Sequence, residues 1–370
     1  MNAKENLVMK NIVILATGGT IAGAGEQGKN IGYKSGSIDA KLLIDAIPEL
    51  KNVANIYVEQ VCNINSDDLT SEIWISLAKR IKELSVAGFG ASHEHVDGFV
   101  LMHGTDTMEE TAFFLSLTLG ADAHCKRRDA AGINLNDAGK NEAKPVVLTG
   151  AMRPATAAEP DGPANLLFAV KSAVEFSRDD HSSFVKSMPV YVAFSNKLMD
   201  ARTVQKIHAN DLEAFAEVGT RHASSSTEAE GSQDLHFAPT FDVSSLHSLP
   251  KVTVLYFNAD ADAELVRFAA ERSAGLVIAG AGAGEFSQTW ATAIANVIAE
   301  KKIPVVISTR INHGSIVPEQ LLVKCSIAAY GLPPAKAAVL LRLALTVTND
   351  IAKIQEFFLC TSVILESETR

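Results

Sequence analysis

The chain has 370 residues, 47% of them hydrophobic and 21% charged, with a formal net charge of -10 at pH 7. This composition supports a large packed core and excludes a disordered chain. The acidic balance excludes a nucleic-acid partner, which needs a basic face, and no run of 18 uncharged apolar residues marks a membrane span.

The opening stretch "MNAKENLVMKNIVILATGG" is too poor in apolar residues before Asn11 for a secretion signal. "NIVILA" from Asn11 reads instead as a buried strand. A glycine-rich segment, "ATGGTIAGAG", and a helix-like "IDAKLLIDAI" follow it. Then come a strand "ANIYVEQV", a helix "SEIWISLAKRIKEL" and a polar insertion "AGFGASHEHV". A strand "GFVLMH" and a helix "MEETAFFLSLTL" lead to a second insertion beginning at His124, a strand "PVVLTG", a helix "NLLFAVKSAVEF" and a strand "VYVAFS". Near-continuous apolar strands alternating with helical periods are the mark of parallel strands buried on both faces. From Arg221 to Pro250 that rhythm breaks. It resumes with "KVTVLYF", "GLVIAG", "IPVVIST" and an amphipathic "PAKAAVLLRLALT". The expectation is an α/β protein of two domains. Residues 1–236 form a larger domain with a mainly parallel, doubly wound sheet, residues 237–250 a linker, and residues 251–370 a smaller α/β domain. The four cysteines (Cys62, Cys125, Cys325, Cys360) show no C-x-x-C spacing and read as reduced thiols of a cytoplasmic protein.

Open parallel sheets bind ligands outside the carboxyl ends of their strands. The first strand runs into Thr17-Gly18-Gly19-Thr20, the second into Ser66-Asp67-Asp68, and the third into Thr105-Asp106. Hydroxyls and carboxylates therefore gather at one edge. Thr107 and Glu110 form a capping-box pattern that starts a helix just after Asp106. That pattern leaves the preceding His-Gly-Thr-Asp unexplained, and Gly104 permits close backbone approach.

Two phosphate-binding patterns fail on context. Gly23, Gly25 and Gly28 match G-x-G-x-x-G, but they come several residues after the strand and no helix follows. Gly23, Gly28 and Lys29 approach the other phosphate-loop pattern, with Asn30 in place of Ser or Thr. The better reading is a tight Gly-Gly turn, then a glycine-rich loop carrying Tyr33. His93 and His95 sit in a polar insertion without a third metal ligand and read as solvated. Lys206 matters only if the fold carries it to the Thr105–Asp106 end of the sheet.

These segments carry a family resemblance. "ILATGGTIAG" and "GFVLMHGTDTMEETAFFL" resemble the two signature motifs of the bacterial-type L-asparaginase/glutaminase family. "KPVVLTGAMRP", "DGPANLLFAV", "FDVSSLHSLPKV" and "PAKAAVLLRLALT" are similar to family segments in the same order. The resemblance implies a threonine amidohydrolase that converts L-asparagine to L-aspartate and ammonia, with L-glutamine as a second substrate. It implies no cofactor and no metal, and a homotetramer whose sites are shared between subunits. Position by position, Thr20 matches the family nucleophile, and Tyr33 the tyrosine of a flexible lid. Thr105, Asp106 and Lys206 match the second catalytic group. Ser66 matches a substrate-binding serine, with Asp67 and Gly19 beside it.

In this reading Tyr33 serves Thr20, and Lys206 relays protons to Thr105. Turn N–H groups near Gly19 and Thr105 receive the oxyanion. Three positions depart from the family pattern. Asp67 stands where many members have glutamine, and Glu285 occupies the second domain's glycine loop. The stretch between Arg310 and Leu332 looks shortened, which leaves Glu319 as the candidate acid from a neighbouring subunit. Two other readings compete. A tRNA-linked amidotransferase should carry an extra N-terminal domain, whereas the first strand here begins at Asn11. A silent amino-acid-binding protein has no need of both threonines.

Overall fold

The structure, a computed structural model, describes residues 9–29, 32, 34–119, 144–178, 190–218 and 239–361. The chain divides into two compact units between Ala216 and Glu217. The expected insertion from His124 and the expected loop from Arg221 fall largely outside the described residues.

In the first unit the elements run β1 (Asn11–Gly18), α1 (Ala40–Asp45), β2 (Asn55–Ile64), α2 (Ser71–Ala87), β3 (Gly98–Met102) and α3 (Met108–Leu119). They continue with β4 (Val146–Thr149), α4 (Gly162–Phe176), β5 (Val190–Phe194), β6 (Lys197–Asp200), and the short pair β7 (Val204–Lys206) and β8 (Phe215–Glu217). The sheet order is β2-β1-β3-β4-β5-β6. Strands β1 to β5 are mutually parallel, and β6 folds back antiparallel on β5. This is the doubly wound arrangement expected.

The sequence of β1 dictates its place. Ile12, Ile14 and Ala16 pack on Ala40 and Ile44 of α1 and on Leu166, Ala169, Val170 and Ala173 of α4. Val13 and Leu15, on the opposite face, are equally buried. A strand apolar on both faces must lie in the middle of a covered sheet. On the other side, α3 is buried almost all round, as expected for a helix with no polar face, and Trp74 of α2 stacks on its Phe114. Strand order reverses at β1: the chain leaves it for β2 on one side and returns on the other for β3. The crevice between the ends of β1 and β3 is thus a topological switch point.

The second unit holds β9 (Val252–Tyr256), α5 (Glu264–Ala270), β10 (Gly275–Gly280), α6 (Gln288–Lys301), β11 (Val305–Thr309), β12 (Ile327–Ala328), α7 (Pro334–Ala344) and α8 (Ile351–Thr361). Its four strands are parallel, in the order β12-β11-β10-β9. Val266, Trp290, Ile294 and Val297 of α5 and α6 cover one face over Leu276, Ile278, Val305 and Ile307. The Ser287 side chain caps α6 by accepting from Trp290 N–H.

Candidate active site

Strand β1 ends in a backbone turn that only glycine can make. Gly18 and Gly19 have φ of 105° and 80°. A side-chain carbon on Gly19 would lie 2.5 Å from the Gly104 backbone, and one on Gly18 would lie 2.6 Å from the Ile64 carbonyl. The ends of β1, β2 and β3 therefore meet backbone to backbone. Gly19 N–H donates to Ile64 O at 3.0 Å, so that amide is already spent and cannot receive an oxyanion. Thr20 opens a short 3-10 turn, Thr20–Ala22. Paired hydrogen bonds between Ala24 and Lys34 then close the base of the following loop. Thr156, after β4, holds that loop: its Oγ1 accepts from Gly25 N–H and its carbonyl from Gly28 N–H. Tyr33 lies outside the described residues.

The turn after β3 faces this one. Gly104 is compact because a side-chain carbon there would meet Ser66 Oγ at 2.8 Å. Helix α3 begins at Met108, where the capping-box pattern put it, but the Thr107 hydroxyl is used differently. It donates to the Ser66 carbonyl at 2.7 Å, fastening the β2 turn to the β3 turn. Ser66 is buried. From β7, Lys206 Nζ donates to Thr105 Oγ1 at 2.9 Å and to Asp106 Oδ1 at 2.6 Å. The Lys206 side chain is 15% exposed, against 67% for Asp106. The backbone N–H of Lys206 donates to Glu109 Oε2 at 2.6 Å, which ties β7 to the first turn of α3.

These turns enclose a cavity of about 280 Å³ lined by Gly19, Thr20, Ser35, Asn65, Ser66, Asp67, Gly104, Thr105 and Asp106. The structure thus brings Thr20, Thr105, Asp106, Ser66, Asp67 and Gly19 to one place, with Lys206 joined through Thr105. Ser35 and Asn65 line it as well and are absent from the sequence-based set. Small polar loop residues give no periodicity or motif to read. Glu319 belongs to the second unit, in a 3-10 turn, Pro318–Gln320. His93 and His95 are exposed, and the described residues contain no cluster of His, Cys, Asp and Glu fit for a metal.

Behind the β3 turn sits His103, wholly buried. Burial pulls its pKa from the usual 6.5 to about 4, against the opposing effect of its bond to the Gly104 carbonyl. The folded protein therefore keeps His103 neutral where an unfolded chain would already bind a proton. Stability from this group is intact above pH 6.5 and declines as pH falls toward 4, by roughly 3 kcal/mol in all. Urea unfolding between pH 7 and pH 4.5 should show this slope, and the His103→Asn variant should flatten it. Equal slopes in both proteins would refute the assignment.

Two threonine and two serine hydroxyls, an ammonium and two carboxylates at the switch point of a doubly wound sheet define an α/β enzyme with a site for a small polar molecule. Comparison with known proteins narrows this class. The model of the asparaginase N-terminal domain matches residues 11–124 and 131–235, and that of the glutaminase/asparaginase C-terminal domain matches residues 251–358. The probable periplasmic L-asparaginase of Haemophilus influenzae is 38% identical over 360 residues, covering 95% of this chain and 93% of that protein. The glutaminase-asparaginase of Pseudomonas fluorescens is 32% identical over 364 residues, covering 95% and 90%. The crystal structure of a probable cytoplasmic L-asparaginase from Campylobacter jejuni superposes with a TM-score of 0.76 at 37% identity, covering 95% of this chain and 99% of that one. The chain belongs to the asparaginase family.

Proposed function

We propose that the protein hydrolyses L-asparagine to L-aspartate and ammonia through an acyl-enzyme on Thr20, with L-glutamine as a secondary substrate. The observation that carries this reading is one cavity lined by both Thr20 and a Thr105 whose oxygen accepts from Lys206. An oxygen that accepts from an ammonium is a poor nucleophile, which leaves attack to Thr20. The Thr20 oxygen bonds to the side-chain amide carbon, and Tyr33 assists removal of its proton. The carbon–nitrogen bond then breaks as Thr105 passes a proton to the departing amine and Lys206 resupplies it. Water next cleaves the ester, frees L-aspartate and restores the Thr20 hydroxyl. Charge in the cavity favours the substrate's α-ammonium beside Asp106 and Asp67. Ser66 Oγ, with no hydrogen-bond partner among the described residues, is open to the α-carboxylate. Thr105 N–H likewise has no acceptor among the described residues and is the fitting donor for the oxyanion.

The same reading takes residues 1–236 as the catalytic domain, joined by 237–250 to a second domain, 251–370. It places the protein in the cytoplasm as a homotetramer, with Glu319 of one copy completing the site of another. Tyr256 and Phe268 of the second unit, 62% and 57% exposed, support assembly, since large apolar side chains left in water mark contact surfaces. Cys62 and Cys325, which form no disulfide among the described residues, support a reducing compartment.

The test is ammonia release by the purified protein from L-asparagine and L-glutamine. The kcat/KM ratio should favour asparagine by about 10- to 200-fold, the reach of one methylene in a pocket. No ammonia at millimolar asparagine would overturn the proposal.

A further inference from the structure

Among the buried titratable groups that the reaction above leaves unused, His103 is the one next to a residue lining the cavity. His103 directly follows β3, and both its ring nitrogens and its backbone N–H are committed. Trp74 Nε1 donates to Thr111 Oγ1 at 2.8 Å. Thr111 Oγ1 lies 2.9 Å from His103 Nε2, and His103 Nδ1 lies 2.6 Å from the Gly104 carbonyl oxygen. The His103 backbone N–H is held by Thr149 O at 2.8 Å. Chemistry fixes the direction of every proton in this chain. An indole N–H only donates and a carbonyl only accepts. The neutral ring must therefore carry its proton on Nδ1, and the Thr111 hydroxyl must donate to Nε2. Each donor is matched to one acceptor from Trp74 to Gly104. Low surrounding polarity strengthens such a series.

The Gly104 carbonyl is half of the peptide unit whose other half is Thr105 N–H. The unit is planar and trans, so its N–H points opposite to its C=O. A ring that fixes the carbonyl also fixes the amide on the far side. Gly104 and Thr105 both line the cavity, and Thr105 N–H has no protein acceptor among the described residues. Gly104 has no side chain to steady the unit by packing. Its neighbours at Ser66 and Gly19 are in contact with it, but neither accepts from or donates to its carbonyl.

We propose that His103 is a positioning residue for the oxyanion donor: with Trp74 and Thr111 it locks the Gly104–Thr105 peptide plane and so holds Thr105 N–H aimed at the developing negative charge of the substrate amide. This rests on the asparaginase reading given above. The effect belongs to the transition state, where that charge appears, and not to ground-state binding.

The experiment compares the wild-type protein with His103→Phe, His103→Asn and Thr111→Val. Each is assayed for kcat and KM on L-asparagine and titrated with the product L-aspartate by calorimetry. His103→Phe fills the space but cannot bond the carbonyl. Its kcat should fall about tenfold, less than the loss from deleting an oxyanion donor outright, with the Kd for aspartate changed under twofold. His103→Asn can still offer an N–H to Gly104 and should recover most of that loss. Thr111→Val leaves the imidazole in place but frees its far side, and should show a smaller loss confined to kcat. In the wild type, ¹⁵N NMR should report a neutral His103 protonated on Nδ1. If the Phe variant does not fold, the Val variant and the tautomer decide the matter. An unchanged kcat in the variants, a loss shared equally by kcat and aspartate affinity, or an Nε2-protonated ring would overturn the inference. A wild-type protein without asparaginase activity would overturn the functional reading along with it, whereas an active wild type with insensitive variants overturns only this one.

Discussion

Thr20→Ala is expected to abolish turnover of L-asparagine, with kcat lower by at least about 10⁴-fold, the scale seen when a covalent nucleophile is removed. The loss is large because the proposed reaction gives other hydroxyls of the cavity different work: Ser66 holds the α-carboxylate and Thr105 delivers the proton. Thr105 is the other threonine lining it among the described residues, and its oxygen accepts a hydrogen bond from Lys206 Nζ. Asp67 and Asp106 are exposed carboxylates suited to pairing with an ammonium. The substitution removes one hydroxyl and one methyl group from a half-buried position, so the fold should persist and L-aspartate should still bind. Steady-state ammonia release with calorimetric binding of aspartate checks both halves. Wild-type turnover in this variant would move the attack to Thr105.

Lys206→Met should be nearly as damaging, with kcat falling by about 10²- to 10⁴-fold, the usual worth of a positioned proton-transfer group. Methionine keeps much of the length and apolar stem but removes the donor to Thr105 Oγ1 and to Asp106 Oδ1. The strand itself should stay in place, since Glu109 holds the Lys206 backbone N–H and not its side chain. Two effects can be separated by the kinetic constants. Loss of proton delivery lowers kcat, whereas loss of the counter-charge to Asp106 alters KM. A variant with normal kcat and a changed KM would reduce Lys206 to a charge partner. Lys206→Arg preserves the charge but not the compact ammonium, and should rescue only in part.

Much of the fold was legible because its central strands are unusual as sequence. "NIVILA" and "GFVLM" contain no polar alternation, so they could only be interior parallel strands. β6, β7, β8 and β12 escaped notice because two to four residues carry no period. The site was legible in part, at strand ends where polar residues interrupt apolar runs. Thr107 shows the limit of local rules. Its spacing to Glu110 predicts a self-contained cap, yet a carbonyl 41 residues away in sequence takes its hydroxyl. Lys206 shows another limit. It lies 101 residues from Thr105, and nothing in its own surroundings marks it apart from any solvated lysine; the family resemblance supplied its role. His103 was visible in "HGTDT", but its bonds to Thr111 and Gly104 follow from depth in the fold, which sequence pattern does not give.

The backbone contact between Gly19 and Gly104 also bears on how this protein could be altered by selection. One wall of the cavity is main chain pressed on main chain, and any side chain added at Gly18, Gly19 or Gly104 collides within 3 Å. Ser35, Asn65 and Asp67 line the same cavity and are partly or fully exposed. A mutagenesis library spread evenly over the cavity would therefore lose its glycine variants to misfolding. Diversity confined to Ser35, Asn65 and Asp67 would survive, and it is there that substrate range can drift while the hydrolytic apparatus stays fixed.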